Sequence, residues 1–177
     1  MRASPALTLL LVLGGCQVPA ARSVPVAQAW AEAQPYDSAI SDAGYAQVID
    51  RALARARADG SVPRKVLAVF GANWCHDSRA LAGWLLDAGH AAALDKDFVV
   101  AFVDVGKPQE GHGRNLDLAA RFGITGLKST PALVVLDTDG HRLNGLEDSI
   151  SWRNAASRSD TAIAAALARY ATLAPAG

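Results

Sequence analysis

The chain has 177 residues, and 17 Lys and Arg face 17 Asp and Glu, so its formal charge is zero. That balance argues against a nucleic-acid binder, which would need a basic face to neutralise phosphates, and no nucleic-acid partner is expected. Hydrophobic residues at 51% and charged ones at 19% exclude a disordered chain and suit one domain with a sizeable core.

Residues 1–15 read as an export signal. Arg2 supplies a positive start, Ala6 to Leu13 form an apolar run broken only by Thr8, and Gly14 and Gly15 follow. The run is about half the ~20 residues a bilayer span needs. Leu13-Gly14-Gly15-Cys16 resembles the lipobox of bacterial lipoproteins. That resemblance implies cleavage before Cys16, lipidation of Cys16 and a membrane anchor through it. Gln17, which is not Asp, points by the family's sorting rule to the outer membrane and the periplasmic side of the cell envelope. The alternative is an ordinary signal cut after Ala20 or Ala29. Either cut gives an exported chain in an oxidising compartment and removes Cys16 as a disulfide partner. The mature chain then keeps one thiol, Cys75, an unusual count for an exported protein.

Residues 16–36 carry Pro19, Pro25 and Pro35 among small residues and are expected to form a tether. One domain is expected over residues 37–177. Ser41 or Asp42 can cap a first helix, with Tyr45, Val48, Ile49, Ala52, Leu53 and Ala56 at helical spacing and Gly60 as its stop. Val66 to Phe70 read as a strand buried on both faces. A helix follows, with Leu81, Trp84, Leu85 and Ala88 on one face. Phe98 to Val103 form a second strand, closed by Asp104, whose expected role is a turn or cap. Gly111-His112-Gly113 reads as a flexible loop. Asn115 can cap a short helix ending at Gly123. Ala132 to Leu136 form a third strand, and Asp137-Thr138-Asp139-Gly140 turn into a short strand at His141 to Leu143. Ser157 and Asp160 suggest a capping box for a last helix with Ile163, Ala166, Leu167 and Tyr170 on its stripe. Strands separated by helices favour parallel crossovers, with an antiparallel edge at the closing hairpin. The expected class is α/β, a three-layer domain with a mixed central sheet and flanking helices.

Cys75 lies between the first strand and the next helix. A helix N-terminus presents unpaired N–H groups and about half a positive charge, so a thiolate is favoured there. The thiolate is the attacking species in disulfide exchange. His76 and Asp77 read as solvated first-turn residues. Trp84 and Trp152 read as packing residues. His90, His112 and His141 are scattered, no spacing suggests a metal site, and no cofactor is expected.

Trp74-Cys75-x-x-Ser78 resembles the Trp-Cys-x-x-Cys motif of the thioredoxin-like family. The order of elements matches as well, and so does Thr130-Pro131 before a strand, where the family places a cis-proline facing the cysteine. The resemblance covers about residues 42–170 and implies a thioredoxin-like fold. It also implies Cys75 as nucleophile, Ser78 beside it, and Trp74, Thr130 and Pro131 along the substrate groove. The sequence departs from the family at three points. Ser78 replaces the second cysteine, so no internal disulfide can complete a dithiol cycle; the serine hydroxyl is expected to donate to the Cys75 thiolate. Val69 stands where many members bury an acidic group. The loop Ile124 to Thr130 is slightly long.

Three functions stay open. The first is a monothiol exchange enzyme of isomerase or reductase type, acting on a disulfide-containing protein or small thiol with an external resolving thiol. The second is a non-catalytic peptide-binding module. The third is a structural lipoprotein with an inert cysteine.

Overall fold

The computed structural model describes residues 30–58 and 63–175. The expected signal peptide, Cys16 and Gly60 lie outside the described residues.

The sheet is built on β1 (Lys65–Gly71), which lies between β2 (Phe98–Asp104) and β5 (Ala132–Leu136). β1 and β2 are parallel, with Lys65 opposite Phe98 and Gly71 opposite Asp104. β5 runs antiparallel to β1, with Val66 opposite Leu136 and Phe70 opposite Ala132. The expected parallel crossover into this third strand is therefore not made. The connection from β2 holds a small hairpin, β3 (Gly106–Lys107) with β4 (His112–Gly113), and the six-residue helix α4 (Leu116–Arg121). At ~9 Å against ~23 Å for a seven-residue strand, α4 is too short to be a full crossover helix. The connection stays at one sheet end, and β5 returns from there. Gly111-His112-Gly113 is accordingly a paired turn, with Lys107 opposite His112. The closing hairpin adds only a bridge between Leu136 and Arg142.

Alternation along the strands builds two cores. Val66, Ala68 and Phe70 face α1 (Asp42–Ala58) and α4, in a cluster with Tyr45, Ile49, Leu53 and Phe122. Leu67, Val69, Leu133 and Val135 face α2 (His76–Leu86) and α6 (Asp160–Ala171), in a cluster with Leu81, Trp84, Trp152, Ile163 and Tyr170. Trp84 and Trp152 are buried packing residues, as their sequence context implies. The chain is a three-layer α/β domain with a mixed sheet.

Several local expectations give way to other solutions. Ser41 does cap α1, accepting from Gly44 N at 3.1 Å. The helix after Cys75 breaks at Asp87, whose ψ of 131° starts a separate α3 (Ala88–Asp97); its carboxylate caps that helix through Gly89 N at 2.9 Å. Ala88 therefore leaves the α2 stripe. Asn115 is the N-cap residue of α4, but its side chain makes no capping bond. It adopts a left-handed φ of 51°, and its amide donates instead to Asp104 O at 2.6 Å. Ser159 rather than Ser157 caps α6, accepting from Ala162 N at 3.2 Å. The stretch before it forms α5 (Leu146–Ile150) and a 3-10 turn over Ser151–Ser157 that buries Trp152.

The largest departure concerns residues 30–36, read from sequence as the end of a tether. They form a strap packed on α2. Trp30 Nε1 donates to Ala80 O at 2.8 Å, and Ala33 N donates to Arg79 O at 3.1 Å. Trp30 and Tyr36 join the core on the α2 side of the sheet. Glu32 pairs with Arg79 Nε at 2.5 Å and with His76 Nδ1 at 2.6 Å. Gly83 is what lets the strap in: a methyl there would run into the Ala31 carbonyl. The two aromatic side chains supply the apolar area that a Pro- and Ala-rich segment otherwise lacks.

Gly83→Ala separates helix propensity from packing. On an open helix face the change gains about 1 kcal/mol. Here the strap must move, so a net loss of about 1–3 kcal/mol is expected in denaturant unfolding, together with faster proteolysis before Tyr36. A gain in stability would show that the strap is not docked as described.

Glu32 gives a pH test. Its hydrogen bond from Arg79, opposed by partial burial and assisted by the Arg79 and His76 charges, holds its carboxyl below the usual carboxylate range. A depressed carboxylate contributes stability above its unfolded value, ~4.3, and loses it as pH falls through the lower folded value. Glu32→Gln is expected to lower the melting temperature by about 1–3 °C at pH 7 and low salt. The difference from wild type is expected to shrink as pH falls below the unfolded value of ~4.3.

Candidate functional site

The end of β1 delivers the site. After Gly71 the chain turns through Ala72, Asn73 and Trp74, and Cys75 N donates back to Ala72 O at 3.1 Å. Cys75 is the N-cap of α2, with extended φ and ψ of −85° and 121°. Strand pairing on both sides fixes where β1 ends, and the turn then leaves the sulfur at the positive end of α2.

Facing it is the loop before β5. The Thr130–Pro131 peptide bond is cis, and Cys75 Sγ donates to Thr130 O at 3.3 Å. The structure thus brings Cys75, Ser78, Thr130 and Pro131 to one end of the sheet. The sulfur is more covered than an open nucleophile would be, since Cys75 is 8% exposed. Trp74 is 45% exposed and forms the outer wall. Its Nε1 donates to Gly106 O at 2.8 Å, which ties the turn to the β3–β4 hairpin.

Ser78 departs from expectation. Its Oγ is buried with no hydrogen-bond partner among the described residues, so it does not bond the sulfur here. A protonated thiol is a donor first, and it turns to the Thr130 carbonyl instead. Tyr36 Oη and Thr130 Oγ1 are likewise buried without a partner among the described residues. An unmade hydrogen bond at such a group costs about 1–3 kcal/mol.

The first turn of α2 is more engaged than the expected solvated His76 and Asp77. His76 is ion-paired with Glu32 of the strap. Asp77 accepts from Ala156 N at 2.8 Å, joining α2 to the 3-10 turn. Asp104 has the expected turn role, accepting from Gly106 N at 3.2 Å and pairing with Arg114 at 3.2 Å. A groove of about 590 Å³ opens beside His76 and Asp77, walled by Arg153, Asn154 and Ser157. Far from the thiol, Asp137, Asp139 and His141 bring three ligand-capable atoms within 4.8 Å at the hairpin turn. Asp137 is already engaged there by Asp139 N at 2.9 Å and His141 N at 2.8 Å. His90 sits in α3, not in a loop, and stacks on Trp84 with ring centroids 4.0 Å apart.

Sequence reasoning missed the strap's contribution to the site. Tyr36 N donates to Asn73 Oδ1 at 3.1 Å, and Asn73 Nδ2 donates back to Tyr36 O at 2.7 Å. Arg79 Nη1 secures the same turn through Asn73 O at 2.9 Å. Tyr36 lies edge-on to Phe102, at 5.5 Å and 83°. Two aromatic residues in a stretch otherwise rich in Pro and Ala were the signal available.

A thioredoxin-like family model matches residues 45–138, a span that includes Cys75 and Pro131. The crystal structure of a disulphide isomerase from Xylella fastidiosa Temecula1 is similar at 32% identity and a TM-score of 0.61, covering 77% of this chain and 96% of that one. No curated protein matches. Strand order, the thiol at the start of α2, the proline opposite it and these two likenesses agree: the chain belongs to the thioredoxin-like family.

Proposed function

We propose that this protein is an exported monothiol enzyme of thiol–disulfide exchange, of isomerase or reductase type. The observation that carries the reading is Cys75 at the N-cap of α2, held against Thr130 O, with Ser78 one turn on where a second sulfur would sit. The Cys75 thiolate attacks one sulfur of a substrate disulfide. A Cys75–substrate disulfide forms, the substrate's own S–S bond breaks, and the other substrate sulfur leaves as a thiolate. Because Ser78 cannot attack that bond, release waits for an external thiolate. It attacks the mixed disulfide, pairs with the substrate sulfur and expels Cys75 as thiolate. An isomerase closes the same cycle with a second thiol of the substrate itself. The likeness to a disulphide isomerase supports substrates that are disulfide-containing proteins. Trp74, Thr130 and Pro131 line the approach to the sulfur.

Residues 1–15 followed by Cys16 support an address on the periplasmic side of the cell envelope, with a lipid on Cys16 as anchor and the outer membrane as site. No helix of the described residues is long and apolar enough to cross a membrane. Cys16→Ser is expected to move the protein from the membrane fraction to the soluble fraction and to abolish labelling by a fatty-acid probe. Retention in the membrane without Cys16 would refute the anchor.

The peptide-binding alternative predicts the same groove without turnover. Non-reducing electrophoresis of envelope fractions separates the two. Wild type is expected to accumulate thiol-sensitive adducts through Cys75, and Cys75→Ala to lose them. In Ser78→Cys the introduced thiol acts at an effective concentration on the order of millimolar. Adduct lifetime is expected to fall by about tenfold or more, with an internal disulfide in its place. Absence of adducts with a reactive Cys75, or a pattern unchanged by Ser78→Cys, would favour the binding module.

A further inference from the structure

The strap brings a second hydroxyl under the thiol. Tyr36 is 2% and Ser78 0% exposed, and neither Oη nor Oγ has a hydrogen-bond partner among the described residues. Both line the space left by the missing side chain of Gly71. A methyl there would stand 2.5 Å from Tyr36 Oη and 2.8 Å from Ser78 Oγ. With a thiol at position 75, the sulfur donates to Thr130 O and the two hydroxyls are idle. Loss of the proton reverses the demand: the carbonyl then faces a negative sulfur, and the charge needs donors.

We propose that Tyr36 is a positioning residue for Cys75: its phenol donates to Ser78 Oγ and so turns the serine hydrogen toward the sulfur whenever the sulfur is a thiolate. Tyr36 acts through Ser78 and touches no substrate. Its contribution is as a neutral donor, since burial above all, with the Cys75 charge adding to it, pushes the phenol far above its ordinary range, against the facing Ser78 hydroxyl. Asp104 from the end of β2 and Tyr45 from α1 act on the phenol in the same direction. The charged groups of the first turn of α2 are committed elsewhere, His76 to Glu32 and Asp77 to Ala156 N.

The proposal rests on the exchange reading for its purpose, since there the thiolate is the attacking and the leaving form. Its test reads the thiol alone. The full chain is alkylated with iodoacetamide across a pH series, and the Cys75 peptide is followed by mass spectrometry. Tyr36→Phe keeps the ring against Phe102 and removes one oxygen. It is expected to shift the profile to higher pH and slow alkylation at pH 7 by about threefold. Ser78→Ala is expected to do at least as much, and Tyr36→Phe in that background to add nothing. A fluorinated tyrosine at position 36, a stronger donor of similar size, is expected to shift the profile the opposite way; that arm decides if Tyr36→Phe fails to fold. A Tyr36→Phe profile that superimposes on wild type, losses that multiply in the double variant, or no response to fluorination would each overturn the proposal. Absence of protein adducts in the trapping experiment would sink the exchange reading and leave this result standing.

Discussion

Everything at the site depends on β1 being hydrogen-bonded along both edges and buried on both faces. Val66 through Phe70 have no exposed surface. Pairing with β2 on one side and β5 on the other fixes the register of each neighbour, and a one-residue slip would exchange the two cores. The same register brings Gly71 and Ala132 to one end of the sheet. Cys75 leaves from the first and Pro131 precedes the second. The thiol and its carbonyl acceptor thus meet because two strands run in opposite directions past a common end.

The cores on the two faces do different jobs. On one, α1 and α4 close the domain with an ordinary apolar interface. On the other, α2 carries the thiol and is held from three sides, by the strap, by the 3-10 turn through Asp77, and by α6 through the hydrogen bond from Trp84 Nε1 to Asp160 Oδ1 at 2.7 Å. A nucleophile on a helix so braced has little freedom to follow a substrate, so the substrate must come to it.

Much of this was legible in the sequence, for physical reasons that also say where legibility stops. The three main strands are apolar runs between glycine, proline and aspartate punctuation. The stripes of α1 and α6 carry a clean 3.6-residue period. Trp74, Cys75, Ser78 and Pro131 stand close to elements that such patterns locate. What escaped depends on contacts distant in sequence. The direction of β5 is set by its pairing with β1, between residues more than sixty apart in sequence. The break at Asp87 is signalled only by Gly89, two residues on and already inside the next helix. Asn115 and Ser78 are residues whose side chains have several local uses, and tertiary context selects one, or none. The strap was invisible because Trp30 and Tyr36 find their partners at Ala80 and Asn73, some forty residues or more away.

Family likeness covers residues 45–138, and the cooperative unit is larger than that. A fragment cut at those limits keeps the thiol, the proline and the three strands. It loses Trp30, Tyr36, Trp152, Ile163 and Tyr170, which with α2 cover Leu67, Val69, Leu133 and Val135. Part of that face of the sheet would then stand open to water, next to the sulfur. Such a fragment is a recipe for oxidative aggregation. The family match marks out the segment around the thiol, whereas the segments on either side of it complete the core that covers the sheet.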